Sequence, residues 1–341
     1  MINVLYRLTA PGMIELACEE QAMPVDQVLL RPVLLSICKA DQRYYQGQRS
    51  PEVLKAKLPM ALIHECCAEV VNDPRGELPA GTLVVPVPNL PTQIDPYIAE
   101  NYLPASKFRS SGFDGYLQEY VYAPRDHLVC APRNTLPEVS AFLELISVSA
   151  HAISRFERIA HQRRERLAVW GDGNVGYITA LLLRAFYPNA ELIVLGTVFE
   201  KLSLFSFADR RMHVDDVRTK NLCDHAFECV GGAGARAAIN QMIDVIAPEG
   251  ALSLLGVSEN FVDINTRMVL EKGLRLFGSS RSGTADFARA AEILERDPHV
   301  GQALERLVAQ VVRVRSIADI HKAFALDAQQ NFGKTVLEWQ I

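Results

Sequence analysis

A glycine-spaced turn places the strongest constraint on how this chain can fold. Gly171, Gly173 and Gly176 stand between a short apolar strand predicted at 167–170 and a helix predicted at 175–186. In such a turn the first glycine permits a tight bend, the second lets the backbone approach a pyrophosphate, and the third allows close contact between helix and strand. The spacing alone is weak evidence, because a glycine turn between a strand and a helix can be purely structural.

The residues after this turn continue an alternation of strand and helix. Short apolar runs predict further strands at 192–195, 225–228, 252–255 and 274–277, and a helix is predicted at 235–246. Alternating elements of these lengths predict a parallel, doubly wound sheet, and therefore an α/β domain of the Rossmann type. In this context the glycine turn indicates a dinucleotide site, with the pyrophosphate at the N-terminus of the following helix.

The end of the second strand predicts which dinucleotide binds. An NAD-binding domain usually carries Asp or Glu at this place, but this chain has Gly196 and Thr197. The missing carboxylate leaves room for a 2′-phosphate, to which Thr197 could donate with Lys201 close behind, so NADP is favoured over NAD. The alternative for Lys201 is an ordinary solvated helix residue. The expected cofactor-binding residues are Gly171, Gly173, Asn174, Val175, Gly176, Thr197 and Lys201.

The first 140 or so residues are β-rich and contain a candidate metal site. Cys38 follows one apolar strand, and the pair His64 and Glu65 follows another. Two strand ends can bring a thiolate and an imidazole to one point, and Glu144 on a later helix could add a carboxylate. Such donors suit zinc with an open position for water or substrate. Taken separately, each residue has an ordinary alternative: a buried thiol, a hydrogen-bonded structural histidine, or a carboxylate on a helix surface.

Composition and charge exclude several other classes of protein. The chain has 341 residues, is 49% hydrophobic and carries a net charge of −5, without the basic face of a nucleic-acid-binding protein. No apolar stretch approaches the length of a membrane span, and the N-terminus lacks the pattern of a signal peptide, so a cytoplasmic protein is expected. The 7 cysteines form a poor disulfide framework, since their number is odd and Cys66 and Cys67 are adjacent. These two are interpreted as core residues.

Cys38, the pair His64-Glu65, the glycine turn and the run 227–232 together resemble the zinc-dependent medium-chain dehydrogenase/reductase superfamily. The resemblance covers essentially the whole chain. It implies a GroES-like catalytic domain at 1–143, completed by 300–341, and a Rossmann domain at 144–299. It also implies one catalytic zinc, whose expected ligands are Cys38, His64, Glu65 and Glu144.

The chain departs from this superfamily in two ways. Many members carry a structural zinc on four cysteines, but the corresponding residues 86–111 contain no Cys. That second zinc is therefore expected to be absent. Many alcohol dehydrogenases also place Ser or Thr two residues after the ligand Cys, where it relays a proton. Ala40 stands there in this chain, so water, a zinc-linked carboxylate or another group must supply the proton.

Four longer stretches resemble the ribitol-5-phosphate dehydrogenases. They are residues 36–45, 108–112, 170–174 and 278–283. Those enzymes reduce ribulose 5-phosphate to ribitol 5-phosphate with NADPH, in the CDP-ribitol pathway that feeds teichoic acids and capsules. The resemblance therefore implies zinc-assisted hydride transfer to the C2 carbonyl. It also implies a homodimer, formed through a sheet edge at 251–255 or 275–277, and a complex with a ribitol-5-phosphate cytidylyltransferase.

A phosphorylated substrate requires cationic or amide partners. Arg43 follows the strand that leads to Cys38, and Arg109 offers a guanidinium fork beside the hydroxyls of Ser110 and Ser111. The alternative for each arginine is a surface residue. Two other functions also stay open. One is a zinc-dependent dehydrogenase of an unphosphorylated polyol or alcohol, and the other is a zinc-free NADP-binding protein of the quinone-reductase type.

Overall fold

The chain folds into two compact units. The computed structural model describes residues 1–218 and 220–341. The first unit comprises Met1–Ser147 and Ser282–Ile341, and the second comprises Val148–Arg281. None of the helices in the described residues is long and apolar enough to cross a membrane.

The N-terminal part of the first unit is mostly strand. Its strands are β1 (Ile2–Ala10), β2 (Met13–Glu20), β3 (Gln27–Ser36), β4 (Met60–Ala61), β5 (Glu65–Asn72), β6 (Leu83–Pro86), β7 (Asn89–Leu90), β8 (Lys107–Phe108), β9 (Val121–Pro124) and β10 (Leu128–Cys130). Its helices are α1 (Lys39–Tyr45), α2 (Pro51–Lys57) and α3 (Pro137–Ala141).

The second unit alternates strand and helix. Its strands are β11 (Arg166–Trp170), β12 (Glu191–Gly196), β13 (Arg210–His213), β14 (His225–Glu228), β15 (Ala251–Leu254) and β16 (Arg275–Gly278). The helices of this part of the chain are α4 (Leu143–Ile159), α5 (Asn174–Phe186), α6 (Phe199–Ser203), α7 (Ala235–Val245) and α8 (Thr266–Glu271). The strands form one parallel sheet in the order β13-β12-β11-β14-β15-β16. This topology confirms the predicted α/β fold with a doubly wound sheet.

Burial on both faces explains why the central strands of the second unit are apolar runs. Val169 and Trp170 of β11 and Val194 and Leu195 of β12 are completely buried. A parallel sheet covered by helices on both sides requires such continuous apolar strands. The edge strand β13 consists of Arg, Arg, Met and His and is partly exposed. It carries no apolar run, and the sequence pattern therefore did not predict it.

The C-terminal elements complete the first unit. They are α9 (Thr284–Arg296), α10 (Pro298–Glu305), β17 (Val308–Val314), α11 (Ile317–Ala328) and β18 (Lys334–Trp339). The resemblance placed residues 284–296 in the Rossmann domain, whereas α9 packs on β10 of the first unit. The backbone amide of Arg133 donates to Glu295 Oε1 over 2.6 Å, which fixes this contact.

A 7-stranded sheet organises the first unit. Its order is β10-β6-β5-β3-β18-β17, and β9 also pairs with β3. The register of β3 and β5 sets Ser36 opposite Glu65, and Ser36 also lies opposite Val336 of β18. The end of β3, the start of β5 and the start of β18 therefore meet at one place in the sheet.

Candidate metal centre and nucleotide pocket

Cys38 lies at the junction between a strand and a helix. It is separated from β3 by Ile37 and is the N-cap residue of α1. The backbone amide of Cys38 donates to Asp41 Oδ2 over 3.0 Å. This bond from the first turn of α1 fixes the bend, so the thiol is presented at the end of β3 rather than inside the strand.

His64 and Glu65 follow a residue with an unusual backbone conformation. Ile63 has φ of +70°, in the left-handed region that a β-branched residue rarely adopts. Its amide donates to Asp41 Oδ1 over 3.0 Å, and its carbonyl accepts from the Tyr116 amide over 2.7 Å. Such backbone strain persists only where the surroundings impose it. Here it turns the chain so that His64 and Glu65 enter β5 next to Cys38.

The structure brings together three of the four predicted metal ligands. Ligand atoms of Cys38, His64 and Glu65 all lie within 4.8 Å of one another. Glu144, near the start of α4, is adjacent to this cluster, since its Oε2 lies 3.9 Å from His64 Nε2. Thiolate, imidazole and carboxylate are a donor set that suits zinc. The residues present therefore fit the metal that the superfamily implies.

The charges around the cluster favour a bound cation. Burial opposes a charge on His64, but Asp41 and Cys38 nevertheless raise its pKa well above the ordinary value. Burial also raises the pKa of Glu144 to about 7, an increase that His64 opposes and Glu65 reinforces. Both shifts reflect several negative groups in a space with little water. A divalent cation would neutralise that excess charge.

Lys334 is the cation that the sequence analysis missed. It is 3% exposed, and its Nζ donates to Glu65 Oε1 over 2.9 Å and to the Ile37 carbonyl over 2.8 Å. Burial lowers the pKa of Lys334, but Glu65 and Cys38 raise it, and the net pKa is raised. The ammonium therefore joins the Glu65 carboxylate to the backbone next to Cys38.

Asp41 is a second residue that the motifs did not reveal. It is completely buried and accepts from the amides of Cys38 and Ile63. His64 Nδ1 lies 3.7 Å from Asp41 Oδ1. One carboxylate thus links both segments that carry candidate ligands. The only sequence signal was an acid in the first turn of a helix, which is common in proteins.

The residues predicted to bind a substrate phosphate have other partners. Arg109 is 9% exposed and donates to the carbonyls of Asp114 and Tyr122, each over 3.1 Å. Its guanidinium also lies over the Tyr116 ring, 5.2 Å from the centroid. These contacts hold Arg109 against the backbone of its loop, which argues against the phosphate role that the sequence predicted. The residue type alone does not distinguish the two roles, because a guanidinium can donate to backbone carbonyls as well as to phosphates.

The two serines after Arg109 also contact protein groups. Ser110 has φ of +57° and is buried, and its Oγ donates to Asp41 Oδ1 over 2.8 Å. Ser110 therefore helps to hold the Asp41 carboxylate in place. Ser111 is half-buried, and its Oγ accepts from Lys57 Nζ over 3.0 Å. Arg43, the remaining residue predicted to contact the substrate phosphate, is half-buried on α1.

The glycine turn has the geometry of a dinucleotide cradle. Gly171 has φ of +128°, and a Cβ on Gly176 would lie 2.0 Å from the Gly171 carbonyl oxygen. A Cβ on Gly173 would meet no atom within 4 Å, so the backbone at Gly173 faces open space. Gly173 is the N-cap of α5, which begins with Asn174 and Val175. The backbone N–H groups at the N-terminus of this helix can donate hydrogen bonds to a pyrophosphate.

A cavity of about 380 Å³ extends from this turn. Gly171, Asp172 and Gly173 line one side, and Thr197 and Gln241 are among the residues on the others. Its volume lies within the range of small-molecule sites, about 300–1,000 Å³. Lys201 lies half-buried on α6, the short helix that follows Thr197. The residues of the second unit thus fit a dinucleotide.

Comparisons with known proteins agree with this architecture. The alcohol dehydrogenase GroES-like domain matches residues 24–133, and the glucose dehydrogenase C-terminus matches residues 137–339. The ribulose-5-phosphate reductase of Bacillus spizizenii is 49% identical, over 100% of both chains. Ribulose-5-phosphate reductase 1 of Staphylococcus aureus is 48% identical, over 99% of both chains. The crystal structure of S. aureus TarJ in complex with NADPH has a TM-score of 0.89 and 43% identity, with 100% of both chains covered.

The chain therefore belongs to the zinc-type medium-chain dehydrogenase/reductase family. Within that family it groups with the ribulose-5-phosphate reductases. This confirms the resemblance and the GroES-like and Rossmann folds that the sequence implied.

Proposed function

We propose that this protein reduces D-ribulose 5-phosphate to D-ribitol 5-phosphate with NADPH and one catalytic zinc. One observation carries the proposal. The cluster of Cys38, His64 and Glu65 lies in a chain that matches ribulose-5-phosphate reductases at 48–49% identity from end to end. The product would supply CDP-ribitol for teichoic-acid or capsule-type polymers.

The metal would be held by Cys38, His64, Glu65 and Glu144. When bound there, zinc supplies Lewis-acid stabilisation of the negative charge that develops on the C2 oxygen of the ketose. The protein's own groups set the positions of these ligands. Asp41 fixes the backbone before Cys38 and His64, and Lys334 fixes Glu65. Because Ala40 offers no hydroxyl, we expect water or a carboxylate of the cluster to supply the proton.

We propose a single zinc per chain. The superfamily's second zinc binds four cysteines, and residues 86–111 contain none. The segment uses other contacts: the Glu100 carboxylate, for example, accepts from the Thr284 amide over 2.9 Å, at the start of α9. This bond ties the loop to a helix without a metal.

NADP rather than NAD is the proposed cofactor. Thr197 is exposed at the end of β12, and Lys201 follows on α6. The Thr197 hydroxyl donates to Asp172 Oδ2 over 3.4 Å and would turn away from it to donate to a 2′-phosphate. The relative of known structure that contains NADPH supports the same choice. The glycine turn, with Asn174 and Val175 at the start of α5, would hold the pyrophosphate.

The substrate phosphate would bind in the first unit. Arg43 and Ser111 stay the predicted residues, and the Lys57 ammonium, 3.0 Å from the Ser111 hydroxyl, adds a positive charge beside Ser111. Arg109 and Ser110 are no longer proposed for this role, because their polar groups face Asp114, Tyr122 and Asp41.

A homodimer is proposed through β16. This strand is the edge of the parallel sheet, whereas β15 lies between β14 and β16. The unpaired backbone groups of β16 can join a second copy of the chain. Light scattering tests this directly, since a monomeric mass in solution contradicts the proposal. The complex with a cytidylyltransferase stays a prediction from the family resemblance.

The function is tested by following the absorbance of reduced nicotinamide. NADPH and NADH are each combined with ribulose 5-phosphate and with unphosphorylated ribulose. We expect rapid oxidation only for NADPH with the phosphorylated ketose. Equal rates with both ketoses would favour the alternative, a dehydrogenase of an unphosphorylated polyol or alcohol.

A further inference from the structure

Asp172, inside the glycine turn, connects two loops of the second unit. Its Oδ2 accepts from the Thr197 amide over 2.7 Å and from the Val198 amide over 2.9 Å. Thr197 and Val198 follow β12, whereas Asp172 follows β11. The carboxylate therefore reaches across the carboxyl ends of two neighbouring parallel strands.

The chain makes room for this carboxylate at Gly196. A Cβ on Gly196 would lie 2.6 Å from Asp172 Oδ2, closer than real side chains allow. This close approach gives a physical reason for glycine at the end of β12. In NAD-binding domains an acidic residue stands at the end of that strand, and its side chain binds the ribose. Here a carboxylate reaches the same place from the neighbouring loop.

The two carboxylate oxygens of Asp172 differ in their contacts. Within residues 1–218 and 220–341, the hydrogen bonds that Asp172 accepts from other residues all use Oδ2. Asp172 also lines the cavity of about 380 Å³, together with Gly171, Gly173 and Thr197. A carboxylate oxygen accepts hydrogen bonds and repels phosphate. The ribose hydroxyls and the amino groups of a dinucleotide can donate to it, and the adenosine ribose is joined directly to the pyrophosphate that the glycine turn would hold.

We propose that Asp172 binds the ribose of the adenosine half of the dinucleotide, with its Oδ1 accepting from the 3′-hydroxyl. The inference rests on the proposed function in that it requires a nicotinamide dinucleotide in this cavity. The 3′-hydroxyl is present in both NADP and NAD, whereas the 2′-hydroxyl of NADP carries a phosphate. The 3′-hydroxyl is therefore the ribose group that Asp172 can bind in either dinucleotide.

The variant Asp172→Asn separates the two roles of this side chain, which are to connect the two loops through Oδ2 and to bind the ribose through Oδ1. Its amide oxygen can take the place of Oδ2 and keep the bonds from Thr197 and Val198. The amide nitrogen then replaces Oδ1, and it donates instead of accepting. The loops are therefore expected to stay in place while the ribose contact is lost. Asp172→Ala removes both.

The probes are AMP and 3′-deoxy-AMP. Each is titrated calorimetrically into the full-length wild type and into each single variant, with no substrate present. We expect the wild type to bind AMP about tenfold more tightly than 3′-deoxy-AMP, which corresponds to the loss of one hydrogen bond to a charged group. Asp172→Asn is expected to bind the two probes equally. Asp215→Asn is the matched control, since Asp215 lines the same cavity and is exposed. It should keep the wild-type preference.

The outcomes separate this inference from the proposed function. An unchanged preference for AMP in Asp172→Asn overturns the assignment of Asp172 and leaves NADPH binding untouched. Equal loss in Asp215→Asn also overturns it, because the effect would then follow the charge of the cavity. Failure of the wild type to bind AMP or adenosine 2′,5′-bisphosphate contradicts the dinucleotide site itself, whatever the reaction with ribulose 5-phosphate.

Discussion

Lys334 Nζ lies 2.8 Å from Glu65 Oε2, and the side chains are 4% and 0% exposed. The two residues are far apart in the chain and meet because β18 and β5 both pair with β3. A buried carboxylate next to other acids is unfavourable without a counter-ion. Lys334 therefore supports Glu65 whether or not a metal is bound.

Replacing Lys334 by Met is expected to destabilise the first unit strongly. The change leaves Glu65 buried without its ammonium partner, and breaking a buried pair costs about 3–5 kcal/mol. Denaturant unfolding measures the loss. Arg313→Ala is the control, because Arg313 forms an exposed ion pair with Glu338 of β18 and should cost no more than about 1 kcal/mol. Equal losses for the two variants would contradict a special role of Lys334.

Asp41→Ala is expected to weaken zinc binding. Asp41 holds the backbone before Cys38 and before His64, and the loss of such supporting groups typically reduces metal affinity ~10–100-fold. Competition with a chromogenic chelator measures this affinity. Asp95→Ala serves as the control, since Asp95 also accepts from backbone amides but in an exposed loop. Unchanged affinity in Asp41→Ala would show that the ligands are positioned without it.

Arg109→Ala is expected to lower stability and to leave the recognition of phosphate intact. Its guanidinium contacts the carbonyls of Asp114 and Tyr122, which lose their donors in the variant. The melting temperature should fall, while the ratio of KM for ribulose to KM for ribulose 5-phosphate stays unchanged. A selective rise in KM for the phosphorylated ketose would instead restore the role predicted from the sequence.

His225 is expected to make the stability of the second unit depend on pH. Burial lowers the pKa of His225 to about 4 from an ordinary value of 6.5, and His161 adds to the decrease. The unfolded chain therefore binds a proton more readily, and the stabilising contribution is complete above pH 6.5 and is lost progressively toward pH 4. The melting temperature, measured across this range, should fall less in His225→Gln than in the wild type. Exposed His299→Gln should behave like the wild type.

The sequence predicts the second unit well because its strands are short apolar runs. The run 192–195 lies within β12, and the helix predicted at 175–186 is α5 with one more residue. The edge strand β13 was not predicted from the sequence, because an exposed strand needs no apolar residues. The helices α3 and α4 are separated at Phe142, where the backbone leaves the helical region. No Pro or Gly marks this break.

The candidate ligands could be predicted, but the residues that position them could not. Cys38, His64 and Glu65 combine recognisable donor types with strand ends, and the structure brings them together. Asp41 and Lys334 are common residue types, and their roles depend on contacts between distant segments. Arg109 shows the opposite case, since its residue type suited a phosphate while the tertiary structure placed it against backbone carbonyls.

The most direct test is the reduction of ribulose 5-phosphate by NADPH before and after removal of zinc. The zinc content of the purified enzyme is measured first, then the metal is removed with a chelator and added back in steps. We predict that turnover disappears on removal and returns fully when one zinc per chain is bound. Turnover that persists in the zinc-free enzyme, or that never appears in the fully loaded enzyme, would contradict the proposed reaction.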